Sequence, residues 1–117
     1  MSRVAALLFT LLLLSISATL EAKGNAEKGK AKAAQKMGNQ QPCAECHGAD
    51  GAKPVAPENP ILAGQYYDYV VKALSDYKSG KRAHAVMNGV AGQLSKQDIE
   101  DLAAWFSSQH SALHFQR

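Results

Sequence analysis

The stretch Cys43-Ala44-Glu45-Cys46-His47 constrains this chain more than any other. Two thiols separated by two residues lie about one helical turn apart, so both sulfurs can face one edge of the same planar group. The imidazole that follows directly can swing beneath that group. This set suits covalent attachment of a c-type haem, with thioethers to the two vinyl groups and one nitrogen ligand to iron. Three other chemistries use part of the pattern. A redox-active disulfide of the thioredoxin kind usually sits at a helix start within alternating strands and helices, and this sequence has no strand signal. Zinc needs about four ligands in a closed site, and beyond Cys43, Cys46 and His47 the next would come from a distant histidine. A plain Cys43–Cys46 disulfide closes so small a loop that it restrains the unfolded chain little.

The 117 residues fit one domain, and the first of them read as a leader. Arg3 precedes an apolar run from Val4 to about Ala18, which ends in Ser17-Ala18-Thr19-Leu20-Glu21-Ala22. This predicts a secretory signal over residues 1–22, cleaved after Ala22, since a membrane span needs about 20 apolar residues. An uncleaved anchor is the alternative. Cleavage leaves a domain over residues 23–109 and a tail over 110–117, exported to the periplasm and not membrane-bound. A domain this small buries a modest core, so a bulky covalent group at its centre would help to stabilise it. Arg3 and Glu21 cancel, so the formal charge of +3 is the same with or without the leader. No basic stripe is interleaved with aromatic residues, which argues against nucleic acid as a partner.

Helical signals dominate the rest. Asn25 is a plausible N-cap for an alanine-rich helix that runs to Met37 and stops at Gly38-Asn39. Lys28, Lys32 and Lys36 would share one face of it, either as a solvated flank or as a steering patch for an acidic partner. Gly29 inside this helix costs about 1 kcal/mol against alanine, which points to a second element packed closely there. Residues 40–51 carry the haem motif in a short, partly helical turn. Pro54, Pro57 and Pro60 make residues 52–60 an extended loop able to hold backbone carbonyls in fixed positions. A second helix is expected over residues 65–79, ended by Gly80, with Tyr66, Tyr69, Val70, Ala73, Leu74 and Tyr77 as its core stripe. Residues 82–94 read as a loop. The last helix starts at Ser95, with Asp98 in a capping-box position, and buries Ile99, Leu102, Ala103, Trp105 and Phe106.

An iron held by His47 has one face left, and its occupant separates electron transfer from gas binding or catalysis. Met1 lies in the leader and Met37 comes just before the motif, so Met87 is the natural candidate. His84, three residues away, is the rival ligand. A sulfur ligand raises the reduction potential, whereas a second imidazole lowers it.

Taken together, several segments resemble the class I cytochromes c, in particular small monohaem bacterial proteins of the c553 type and one half of the dihaem cytochrome c4. They are Gly24-Asn25-Ala26-Glu27-Lys28-Gly29, Cys43 to Gly48, Pro60-Ile61-Leu62-Ala63-Gly64-Gln65, and Met87 followed by Leu94-Ser95 and Asp101-Leu102-Ala103-Ala104-Trp105-Phe106. The resemblance implies an all-α fold, with N- and C-terminal helices crossing, a third central helix, and loops wrapped around one covalent haem. It implies that Gly29 meets the last helix beside Trp105, that the Pro60 carbonyl accepts from the His47 ring, and that Met87 is the distal ligand. It departs from the family in a shorter stretch between Arg82 and Met87, which keeps His84 in contention. The implied function is one-electron transfer by a carrier, not an enzyme, that meets redox proteins through acidic docking surfaces. The alternative is a haem subunit held in a dehydrogenase or oxidase, for example beside a flavoprotein. A peroxidase or sensor with open iron requires that Met87 not bind.

Overall fold

A computed structural model of the chain describes residues 23–110. The expected leader and the tail beyond His110 lie outside the described residues.

The first helix, α1 (Ala26–Ala33), begins where the Asn25 side chain accepts from the Lys28 amide at 3.0 Å. It ends four residues before the expected Met37. Gly38, at φ 58°, allows a tight reversal in which Met37 and Gln40 exchange backbone hydrogen bonds of 3.3 and 2.9 Å. The reversal accompanies burial of Met37 in the core at 7% exposure, and burial outweighs the helical preference of the run before it. Lys36 therefore falls outside α1, and Lys32 is paired with Asp98 at 3.2 Å, so the three lysines do not form the expected row along one helix face.

The haem motif forms a one-turn helix, α2 (Cys43–His47). Helix α3 (Tyr67–Ser79) ends on Gly80 in the left-handed conformation, as expected. Its tyrosines behave differently from the expected core stripe: Tyr66 and Tyr69 are 57% and 48% exposed, while Val70 is buried and Val71 and Leu74 pack against the core. Aliphatic side chains take the interior and the phenols keep contact with water. A second correction concerns residues 82–94, which contain a short helix, α4 (Met87–Gly92). Its two glycines and weak periodicity hide it in the sequence, and contacts with α3 hold it. Helix α5 (Lys96–Ser107) carries the full Ser95–Asp98 capping box. Among the described residues there is no strand, and Met37–Gln40 is an isolated bridge.

Helix α1 packs on α5, and α3 packs on both α5 and α4. The shared core consists of Ala33, Met37, Val90, Leu94, Ile99, Leu102 and Phe106. Gly29 lies where α1 meets α5: a Cβ there would sit 1.9 Å from the Asp101 carbonyl oxygen and 2.8 Å from Trp105 Cβ. Gly24 approaches the Glu100 carbonyl just as closely, at 2.0 Å. Asp101, 5% exposed, completes the junction, because its carboxylate accepts from the Asn25 amide at 2.7 Å and from Gln97 Nε2 at 2.9 Å. An orphan donor at the start of α1 is thus satisfied by a residue of α5.

Gly29→Ala gains about 1 kcal/mol of helix propensity. The clash with backbone is expected to cost more, about 1–3 kcal/mol net of relaxation, and to lower the urea midpoint with little change in slope. The Asp98 carboxyl is disfavoured as an anion by partial burial, but hydrogen bonds from Ser95 and Lys32 outweigh that and hold it below the ordinary carboxylate range. Its stabilisation is present in full above the unfolded value near 3.9 and is lost as pH falls through the lower folded value. Asp98→Asn should flatten that part of the stability–pH curve measured by denaturant titration.

Candidate functional site

Pro42, with φ −58°, leads the chain into α2. Gly48 ends it at φ 91°, and a Cβ there would lie 2.7 Å from the Lys53 carbonyl oxygen, so the chain doubles back closely enough to exclude a side chain. The returning loop is fastened to the motif. The Val55 amide and Asn59 Nδ2 both donate to the Cys46 carbonyl, each at 3.1 Å. This brings the Pro60 carbonyl to the His47 ring, whose Nδ1 donates to it at 2.8 Å.

That bond determines the chemistry of His47. A carbonyl only accepts, so the ring hydrogen is on Nδ1 and the lone pair on Nε2 is available to a metal. His47 is buried, at 7% exposure. Cys43 and Cys46 are free, half-buried thiols on the same short helix. Burial, chiefly, pushes the Cys43 thiol up to about 11. A reactive disulfide centre lowers the value of its attacking thiol, and burial at Cys43 acts in the opposite direction.

Met87 is the first residue of α4 and is partly buried against the same core cluster as Cys43. Three tethers place this helix. A Cβ on Gly89 would lie 3.0 Å from the Gln40 side chain, so α4 abuts the segment that enters the motif. Asn88 Nδ2 donates to the carbonyls of Tyr77 and Arg82, both at 2.8 Å. The Lys78 ammonium donates to the Leu94 carbonyl beyond the helix end. Arg82 lies over the Tyr77 ring at 4.7 Å and reaches the Tyr69 hydroxyl at 3.5 Å. Lys78 and Arg82, at and just beyond the end of α3, thus both have structural contacts.

His84 is exposed, and its Nδ1 lies 3.2 Å from the amides of both Val86 and Met87. Backbone amides only donate, so Nδ1 accepts and the ring hydrogen belongs on Nε2. Neither nitrogen then offers a lone pair to iron in this geometry. Gln40, Asn59 and Asn88 were not among the residues singled out from the sequence. Asn59, in a loop, and Asn88, in the first turn of α4, tether distant backbone carbonyls, and the Gln40 side chain packs against Gly89, roles that no local pattern announces.

The residues fit a haem on the structure's own terms. Two free thiols at one-turn spacing, an imidazole with Nε2 left for metal, and a partly buried thioether packed against the same core cluster as Cys43 form a suitable donor set. The family model described as Cytochrome c matches residues 26–110. The chain belongs to the cytochrome c family. It is 46% identical over 99 residues to cytochrome c4 of Pseudomonas aeruginosa, an alignment covering 85% of this chain and 45% of that protein. It is 40% identical over 62 residues to a protein of Stutzerimonas stutzeri named thiosulfate dehydrogenase electron acceptor, covering 53% of this chain and 29% of that one. The fold matches the crystal structure of reduced cytochrome c4 from Pseudomonas stutzeri with a TM-score of 0.65 and 28% identity, over 76% of this chain and 53% of that chain. The chain spans about half the length of the cytochromes c4 it matches. This cytochrome c domain takes one haem c, covalently attached through Cys43 and Cys46. No helix among the described residues is long and apolar enough to cross a membrane.

Protein matured with haem should retain it through acid–acetone extraction, with a polypeptide mass higher by one haem. The double variant Cys43→Ser, Cys46→Ser should release all of it.

Proposed function

We propose that this cytochrome c domain carries single electrons in the periplasm, with its iron held between His47 and Met87. When bound, the haem supplies an iron that alternates between the ferric and ferrous states. The observation that carries the reading is the His47–Pro60 hydrogen bond of 2.8 Å, which orients the imidazole and increases its donation at Nε2. Met87 would supply the second ligand. Its thioether would favour the ferrous state and raise the potential, and with His47 and Met87 both holding the iron no site would be left for a substrate. The chain therefore performs no bond-making on a substrate. Its residues hold the ligands, exclude water and preserve one geometry in both oxidation states.

The arginine and apolar run that read as a leader over residues 1–22 support export. The exposed side chains of Lys28, Lys36, Lys53 and Lys81 supply positive charge for encounter with acidic docking surfaces of redox proteins. Association rates with such partners should fall as salt rises. The relative named as an electron acceptor of thiosulfate dehydrogenase favours a second reading, a haem subunit held in a dehydrogenase or oxidase complex, a flavoprotein included. Co-purification of a stoichiometric partner at high salt separates that case from a free carrier.

The oxidised protein should show the weak red-edge charge-transfer band of methionine-bound ferric haem. Met87→Ala should abolish the band, lower the potential and let the reduced protein bind carbon monoxide readily. A wild type without the band that already binds carbon monoxide overturns the closed-iron reading.

A further inference from the structure

The turn before α4 contains a ring of hydrogen bonds centred on His84. Its Nδ1 accepts from the amides of Val86 and Met87, each at 3.2 Å. Its own amide donates to Asn88 Oδ1 at 2.6 Å, and its carbonyl accepts from the Asn88 amide at 3.1 Å. Asn88 then fastens the turn to the end of α3 through Tyr77 and Arg82. The rings of His84 and Tyr77 meet in a T-shaped contact with centroids 6.1 Å apart. The arrangement works like a capping box: one side chain satisfies amides ahead of it, and a side chain one turn on satisfies its amide.

The bond to the Met87 amide matters most, because it acts on the backbone of the residue whose sulfur is the distal ligand under the function proposed above. Helix α4 has six residues, two of them glycine, so it has little intrinsic tendency to form. Without an acceptor at residue 84, two amides at the turn lose their partner and the start of α4 opens more often. We propose that His84 is a positioning residue for Met87: it holds the Met87 backbone in place by accepting at Nδ1, and it is not itself an iron ligand. Its location three residues before Met87 follows from this role, since that spacing lets a side chain reach an N-terminal amide of a helix.

The experiment uses ferric, haem-loaded protein and imidazole as an external probe that binds iron when Met87 lets go. His84→Ala should raise the apparent imidazole affinity about fivefold, the size of a lost cap. Exchange of the Val86 and Met87 amide hydrogens should quicken, while amides of α5 keep their protection. His84→Asn, which restores an acceptor oxygen, should return both readouts to within about twofold of wild type. Unchanged imidazole affinity in His84→Ala overturns the proposal. So does a two-imidazole haem spectrum in Met87→Ala that disappears in the double variant with His84→Ala. In case His84→Ala does not fold, nitrogen NMR of the wild type tests the same bond: the hydrogen must be on Nε2, and a hydrogen on Nδ1 overturns the proposal. If the wild type lacks the methionine band yet His84→Ala still quickens exchange at Val86 and Met87, then the assignment of Met87 as ligand fails and the hydrogen-bonded role of His84 stands.

Discussion

The close approach of α1 to α5 governs the rest of the fold. At Gly29 and Gly24 the backbones come so near that a single Cβ would collide with main-chain atoms of Glu100 or Asp101. Such proximity cannot be adjusted by side-chain rotation. It sets the distance between the two helices, and Asp101 sets the register by accepting from the amide of Asn25. Leu102 and Phe106 of α5 then join Ala33 of α1 and Met37 in one core, against which Cys43 and Met87 pack. Helices α1 and α5 thereby determine where the segments that carry Cys43, His47 and Met87 can lie.

The two histidines near the site show how hydrogen-bond partners assign chemistry to one residue type. His47 faces a carbonyl and His84 faces two amides. Because carbonyls only accept and backbone amides only donate, the two rings take opposite tautomers. One leaves the lone pair of Nε2 available to a metal and the other has none to spare. Composition treats them alike, and so does their proximity in sequence to a cysteine motif or a methionine.

Much of the fold was legible where a local rule operates. The Asn25 cap, the Gly80 terminus and the Ser95–Asp98 capping box follow from short-range hydrogen bonding, and all three are present. The motif at Cys43 to His47 was equally plain, because spacing alone puts three donors on one turn. The misreadings occurred where distant residues decide. Helix α1 stops early because burying Met37 requires a reversal, and Tyr66 and Tyr69 turn outward while Val70 is buried and Leu74 packs against the core. Helix α4 escaped notice because its contacts are with distant residues: Asn88 bonds the carbonyls of Tyr77 and Arg82, and Gln40 packs against Gly89.

By itself, then, the sequence determined the class of helices, the covalent haem attachment and the family, since each rests on residue types at fixed short spacings. The tertiary structure decided which nitrogen of each histidine carries hydrogen, how the Pro60 carbonyl reaches His47, and how Met87 is presented at the head of a helix. Those features depend on backbone groups brought together by loops. Every residue carries the same amide and carbonyl, so no side-chain pattern can announce which of them will meet.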